Sequence, residues 1–311
     1  MELLLLLVTF LAASIRMAIP LALAGLGESI SEKSGLLNIG VEAIMLCGAF
    51  FSFMAVFATG SFFLGMVGGV FGGVSMSMIH ALLSIRFKAN QTIVGLALNF
   101  LALGLTSFLF LMSFGQTTTL PSTAVMAAIR LPLLSAIPVV GELLFTQNLF
   151  VYLTIACMVI THFVFFKTDF GVALHAVGEH PIAADTAGIS VTTVRYVAAL
   201  LNGMLGGLGG AYLTIVKLGF FQENLTAGKG YIALVTVILG KRTPFGVLGA
   251  ALIIGGAEAL QIRLQTAGTN IPSQLFAMFP YLMTILALLL TIGSSGDPAA
   301  LGTPYDRNRR G

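Results

Sequence analysis

Long apolar runs with almost no charge between them limit what this chain can fold into. Of its 311 residues, 57% are hydrophobic and 9% charged, against about 25% charged in a soluble domain. So few charges cannot clothe a water-facing surface, and the chain reads as an all-α, polytopic helical membrane protein. The runs are too long for barrel strands, which alternate in segments of about 10 residues. A helical span needs about 20 apolar residues. Nine segments fit: 3–25, 39–58, 61–84, 91–114, 148–166, 193–216, 229–240, 244–264 and 276–293. The seventh rises only about 18 Å against a core of about 30 Å, so it either extends back to Leu225 or is one half of a broken helix. The whole of 1–311 reads as one transmembrane domain. Its start, Met1-Glu2-Leu3-Leu4, lacks the basic region of a cleaved signal peptide and reads as an uncleaved first span.

Lys and Arg set an orientation. With the N-terminus outside, the inner loops hold Lys33, Arg86, Lys88, Lys167, Arg195, Lys241, Arg242, Arg307, Arg309 and Arg310. The outer loops and span ends hold Arg130, Lys217, Lys229 and Arg263, and Arg16 lies within the first span. This excess favours N-out/C-in. It also requires the short seventh segment to cross, because otherwise Lys241 and Arg242 fall outside. Two polar excursions interrupt the apolar pattern. An outer loop over 115–147, with Pro121, Pro132 and Pro138, is expected to hold a short surface helix and extended pieces. An inner loop covers 167–192.

Glycines mark where helices touch. Gly65, Gly68, Gly69, Gly72 and Gly73 line the third segment; Gly203, Gly206, Gly207, Gly209 and Gly210 line the sixth; Gly246, Gly249, Gly255 and Gly256 mark the eighth. Small residues let membrane helices approach closely, and the pattern predicts a compact bundle whose helices slide. Two glycine-rich starts look related. Ser34-Gly35-Leu36-Leu37-Asn38-Ile39-Gly40-Val41-Glu42 opens the second segment from the inside, and Ala227-Gly228-Lys229-Gly230-Tyr231-Ile232 opens the seventh from the outside. Opposite sides are what an inverted repeat requires. Glycine-rich helix starts, common in membranes, account for the same pattern without a repeat.

The inner loop carries the most specific signal: Gly178-Glu179-His180-Pro181-Ile182-Ala183-Ala184-Asp185-Thr186-Ala187-Gly188-Ile189. Pro181 suits a first helical turn, where its missing N–H would be unpaired anyway. His180 then falls near the N-cap, and Gly188 suits the position just past the C-cap. The resulting two-turn helix exposes alanines and lacks the bulk for a core of its own. It fits as a knob in another protein's groove. A helix lying on the bilayer would carry Leu, Phe or Trp along one face, and this one does not.

Three blocks together resemble a known family. They are Glu32-Lys33-Ser34 continuing through Glu42, the loop around Pro181, and Gly228-Lys229-Gly230-Tyr231-Ile232-Ala233-Leu234 followed by Gly240-Lys241-Arg242 and Pro244-Phe245-Gly246. Over nearly its whole length the chain resembles permease subunits of bacterial ABC importers of the branched-chain amino acid/ribose/nucleoside type. It is most similar in style and length to the smaller of two paired permeases of nucleoside importers. The resemblance implies a transport subunit in the bacterial cytoplasmic (inner) membrane, with no catalytic residue and no bound cofactor. It implies a homologous second permease in a heterodimer, a cytoplasmic ABC ATPase and an extracytoplasmic substrate-binding protein. The inner loop then resembles the coupling helix, with Gly178, Glu179, His180, Pro181, Ala183, Ala184, Ala187 and Gly188 meeting the ATPase. Nucleosides are the implied solute, with sugars and branched-chain amino acids as alternatives. The chain's own nearest match to a phosphate loop, Gly240-Lys241-Arg242-Thr243, lacks the upstream glycine and puts Arg between Lys and Thr, so energy from ATP has to come from a partner.

Polar residues inside spans are functional candidates by default. Asn38 and Glu42 are read as one turn apart on one helical face. Gln91 and Asn99 flank the fourth segment, Asn202 lies in the sixth, and Glu258 lies with Gln261 in the outer part of the eighth. Along a translocation path they offer hydrogen bonds to a polar solute, and Phe220, Phe221 and Tyr231 offer stacking at the outer mouth. Interhelical hydrogen bonds of about 1 kcal/mol and interfacial packing explain the same residues without a solute. An ion-coupled secondary transporter would use Glu42 and Glu258 as coupling carboxylates, but has no need of the loop around Pro181. A membrane-embedded enzyme needs a clustered acid/base or metal set, which His175, His180 and Asp185 do not make. The histidines show no zinc-ligand spacing, so no metal is expected. Cys47 and Cys157 sit in apolar runs as packing residues. No basic segment interleaved with aromatics points to nucleic acid.

Overall fold

The computed structural model describes residues 2–115, 119–130, 139, 141, 143, 145–266, 272–291 and 296–306. Helix α1 covers Glu2–Lys33, continuing well past residue 25, where the apolar segment ends. Its polar tail stays helical because its side chains find partners inside the bundle. Ser29 Oγ donates to Leu26 O and Ser31 Oγ to Leu36 O, and Glu28 and Glu32 are buried. An apolar surrounding leaves the helix as the way for such a segment to satisfy its backbone.

Helices α2 (Val41–Thr59) and α3 (Phe62–Ala81) form a hairpin that turns at Gly60 in the left-handed region. A π turn, Leu82–Arg86, ends α3, and α4 runs over Gln91–Phe114. In the following loop, β1 (Ile129–Arg130) pairs antiparallel with β2 (Thr146–Gln147), and Ser122 bridges Phe220. The expected extended pieces are therefore present. The expected short helix falls mainly outside the described residues, as do Pro132 and Pro138. The remaining helices are α5 (Leu149–Lys167), α6 (Asp169–Glu179), α7 (Pro181–Thr186), α8 (Val191–Tyr212), α9 (Lys229–Leu239), α10 (Pro244–Thr266), α11 (Ser273–Ala277) and α12 (Phe279–Thr291). A second π segment, Leu213–Leu218, extends α8. Seven of the described helices are long and apolar enough to cross a membrane, while Lys229–Leu239 and Gln274–Leu286 are shorter apolar helices.

The core lies where α2 packs on α3, α3 and α2 on α8, and α1 on α8 and α10. These backbones touch. A Cβ added to Gly210 would lie 1.9 Å from Met45 O, and one on Gly73 would lie 2.3 Å from Gly203 O. The outward faces of α3, α4 and α5 expose Phe71, Met112 and Phe163, which suits lipid or another apolar chain.

Segment 34–40 does not lie across the end of the bundle. Asn38 N–H donates to Glu28 Oε1 (2.9 Å), and Glu28 sits about 7 Å back along α1 from its last residue. The chain thus runs back beside α1, and α2 begins inside the bundle, buried from residue 41 to 50. The seventh segment does the same. Residues 223–228 are turns and the helix starts only at Lys229, so the segment is a half-helix of about 16 Å rather than one extended back to Leu225. A Cβ on Gly230 would lie 2.4 Å from Glu42 N. The two glycine-rich starts, expected at opposite surfaces, therefore meet within the bundle. Their helices leave the junction in opposite directions: α2 runs toward Phe50 and Phe53, whose rings meet Phe221, and α9 runs toward Arg242, paired with Glu32 at the end of α1.

Gly210→Val places a branched side chain against the Met45 carbonyl, whereas Gly249 has nothing within 4 Å of its added Cβ. Overpacking a tight contact costs about 1–3 kcal/mol. Size-exclusion of detergent-solubilised protein should show Gly210→Val lost or aggregated and Gly249→Ala eluting like the parent.

Candidate functional site

Glu42 organises the junction of the two helix starts. Its Oε1 accepts from Gly228 N–H (2.8 Å) and the Thr226 hydroxyl, and its Oε2 from Gly230 N–H (2.7 Å). The carboxylate thus caps the positive end of α9, where backbone N–H groups lack helical partners. Asn99 ties the same region to α4. Its Oδ1 accepts from Ala43 N–H (2.9 Å), and its Nδ2 donates to Ile39 O (3.2 Å) and Tyr231 Oη (2.8 Å). Tyr231 is 41% exposed, and Leu96 and Phe100, which precede and follow Asn99 along α4, are exposed as well. The Asn99–Tyr231 pair is a polar spot on an apolar wall.

Asn38, Gln91 and Asn202 lie elsewhere and are buried. Asn38 precedes α2, so it does not share a helical face with Glu42; its Oδ1 accepts from Gly40 N–H. Gln91 Oε1 accepts from Leu37 N–H (2.8 Å), and Asn202 Nδ2 donates to Glu28 Oε2 (2.6 Å). All three hold segment 34–40 or the end of α1. Nearby, Arg242 pairs with Glu32 and Asp297, and the buried Arg195 donates to Ser34 O and Thr303 O.

Glu258 forms a third group. Its carboxylate takes Lys217 Nζ (2.9 Å) and Lys229 Nζ (2.8 Å) at a cavity of about 220 Å3 that Gln261 and Tyr281 also line. Lys229 and Tyr231 lie about 200° apart around α9, so this cluster faces away from Asn99. Phe220 is half-buried in its bridge to Ser122. Phe221 is fully buried among Phe50, Phe53 and Phe110 and offers no open ring face. The eight path candidates therefore do not form one surface.

The loop 167–192 folds as the α6–α7 pair. Thr168 Oγ1 accepts from Gly171 N–H at the start of α6. Pro181 opens α7 with His180 at the N-cap position. At its end Gly188 N–H bonds Asp185 O and Ile189 N–H bonds Ala184 O, a Schellman stop with Gly188 left-handed (φ 89°). Ala184 and Gly178 are buried, and a Cβ on Gly178 would lie 2.2 Å from Lys33 O. These two residues seat the helices on the bundle and present nothing outward. Glu179, His180, Ala183, Ala187 and Gly188 are exposed and Pro181 partly so. The alanine-rich reading missed Ile182 and Val172, exposed at 52% and 68%, which give this face apolar grip.

The family of the branched-chain amino acid transport system permease component matches residues 10–288. The chain belongs to that family. It is 39% identical over 308 residues to the guanosine ABC transporter permease protein NupQ of Bacillus subtilis (strain 168), covering 96% of each chain. It is 36% identical over 299 residues to the nucleoside ABC transporter permease protein NupC of Lactococcus lactis subsp. cremoris (strain MG1363), covering 93% of this chain and 94% of that one. A second guanosine permease protein of Bacillus subtilis, NupP, is 27% identical over 303 residues, 92% of this chain and 81% of that one. A solved ABC transporter assigned to the metal-chelate type, in an inward-facing conformation, shares the fold with a TM-score of 0.50 at 15% identity, over 90% of this chain and 85% of that one. This family member is thus a multi-pass membrane permease subunit with an ABC-transporter fold, related to both members of a permease pair.

Glu42→Ala leaves two backbone N–H groups and a hydroxyl without their acceptor, at about 1–3 kcal/mol for each buried unsatisfied group. The purified variant should melt several degrees lower by differential scanning fluorimetry. An unchanged melting temperature would show that the α9 cap contributes nothing.

Proposed function

We propose that this chain forms the translocation path for nucleosides as one permease of a heterodimeric ATP-driven importer in the bacterial inner membrane. The observation that carries this reading is the α6–α7 pair: two short helices seated on the bundle by Gly178 and Ala184, with an outward face of Ile182, Ala183 and Ala187. An isolated permease gains nothing from such a face; a subunit driven from outside needs one. ATP binding and hydrolysis on a cytoplasmic ABC ATPase would move this pair, and a substrate-binding protein would deliver solute to the other end. Nine crossings, with α9 and the α11–α12 segment as the short ones, would leave the N-terminus outside and the C-terminus inside. The chain acts as one domain over 1–311 and works without a bound cofactor. The nucleoside assignment rests on the names of the guanosine and nucleoside permeases to which the chain is similar.

The path wall proposed here is the Asn99–Tyr231 pair with the exposed ring of Phe100, the next residue after Asn99 on α4. A polar spot with a free aromatic face suits a nucleoside, which carries hydroxyls and a flat base. Tyr231→Phe is the clean test, because the hydroxyl's bond to Asn99 does not hold backbone. Losing one hydrogen bond of about 1 kcal/mol should lower guanosine uptake about fivefold at low substrate with membrane levels unchanged.

The decisive measurement is uptake of labelled guanosine in cells that carry the chain with its partner permease, ATPase and binding protein. Ala187→Arg puts a charge on the exposed face of α7 and should abolish uptake while the protein still reaches the membrane. Full uptake in Ala187→Arg would remove the docking role and return the secondary-transporter reading. Uptake of ribose or leucine in place of guanosine would reassign the solute.

A further inference from the structure

Segment 296–306 lies against the same end of the bundle as α6 and α7, and it joins parts of the molecule that are far apart in sequence. Ala300 N–H donates to Gly178 O (2.9 Å), and Gly302 N–H to Gly35 O (3.1 Å). Ala299 N–H donates to Glu179 Oε2 (3.2 Å). Arg195 Nη1 donates to Thr303 O (3.1 Å). Asp297 pairs with Arg242 between α9 and α10, and Asp306 pairs with Lys88 after the π turn of α3. One stretch of chain thus touches the docking helices, the start of segment 34–40, α8, the α9–α10 turn and the α3–α4 turn.

The contacts have a direction. Glu179 and Gly178 belong to the element an ATPase would push. Gly35 begins the segment that climbs to the Glu42 junction, and Arg242, also bonded to Glu32, ends the half-helix that leaves that junction. Gly178 already lies on the Lys33 carbonyl, so the strap closes a ring through Gly178, the end of α1 and Gly35. Backbone hydrogen bonds make most of the ring, and the Asp297–Arg242 and Asp306–Lys88 pairs pin the two ends of the strap to the α9–α10 and α3–α4 turns.

We propose that residues 296–306 are a positioning strap that carries displacement of the α6–α7 pair to both helix starts at the Glu42 junction. This rests on the reading of the chain as an ATP-driven permease. Without the strap the ATPase would still dock on the exposed face of α7 and hydrolyse ATP, but the motion would not reach the path.

The test uses the full complex with the double substitution Asp297→Ala, Asp306→Ala. Asp297 and Lys88 are the more exposed members of the two pairs and the buried Arg242 keeps Glu32 as its partner, so no buried charge is stranded and the complex should assemble at normal levels. ATP hydrolysis by the purified complex should stay within about twofold of the parent, while guanosine uptake per ATP hydrolysed should fall about tenfold, the size of an ordinary coupling free energy. Asp297→Glu, which keeps the charge on Arg242, should retain the parent ratio. Hydrolysis and uptake that fall in step, or an unchanged ratio, would overturn the strap alone. A parent complex that retains no ATPase would overturn the importer reading itself, and the strap with it.

Discussion

The Glu42 carboxylate makes the irregular middle of this bundle possible. In hydrocarbon an unpaired backbone N–H costs several kcal/mol, so a helix cannot simply begin halfway across. Here α9 begins inside because a carboxylate on the first turn of α2 accepts Gly228 N–H and Gly230 N–H. The cap needs Gly230, since any side chain there would strike the Glu42 backbone. Asn99 and Tyr231 add their bonds around the same point. The Asn99–Tyr231 polar spot is thus a by-product of ending two helices in an apolar place.

Farther along α1 the same problem is solved with ionisable side chains. Glu28 takes Asn38 N–H and Asn202, Glu32 takes Arg242, and Arg195 takes two carbonyls. Each group is buried, and each finds its partner on a different segment. A buried ion pair adds little net stability over a well-packed apolar pair, but breaking one partner away is costly. The network therefore defines where segments 34–40 and 296–306 must lie more than it adds to the strength of the bundle.

The sequence spoke clearly about what depends on local chemistry. Helix content, the loop at 167–192, the N-terminal place of Pro181 and the stop at Gly188 follow from hydropathy and backbone preference, and the structure has them. The seventh segment was legible as too short, but length alone left its form open. The end of α1 was not legible, because hydropathy falls at residue 25 and only distant partners such as Asn202 and Arg242 keep Glu28 and Glu32 inside. The path candidates were chosen for being polar within spans, a signal that does not separate a residue facing solute from one holding backbone. In the structure Asn38 and Gln91 accept backbone N–H groups and Asn202 donates to the Glu28 carboxyl. Gly178 and Ala184 look like exposed small residues in sequence, and their burial follows from how α6 sits on α1 and α8 and how α7 sits on α6 and α8.

Where α3 and α8 cross, the contact is peptide against peptide: Gly73 on Gly203 and Gly207 on Gly69. Small residues in sequence suggested helices free to slide. The spacing adds that such surfaces have no flexible side chains to yield, since a Cβ on any of these glycines would strike backbone of the facing helix. Helices α2, α3 and α8 pack closely enough to count as a single plate. Change of shape then falls to the plate's margins, where the π segments Leu82–Arg86 and Leu213–Leu218 end α3 and α8. The glycines that pack the bundle most tightly also decide where it bends.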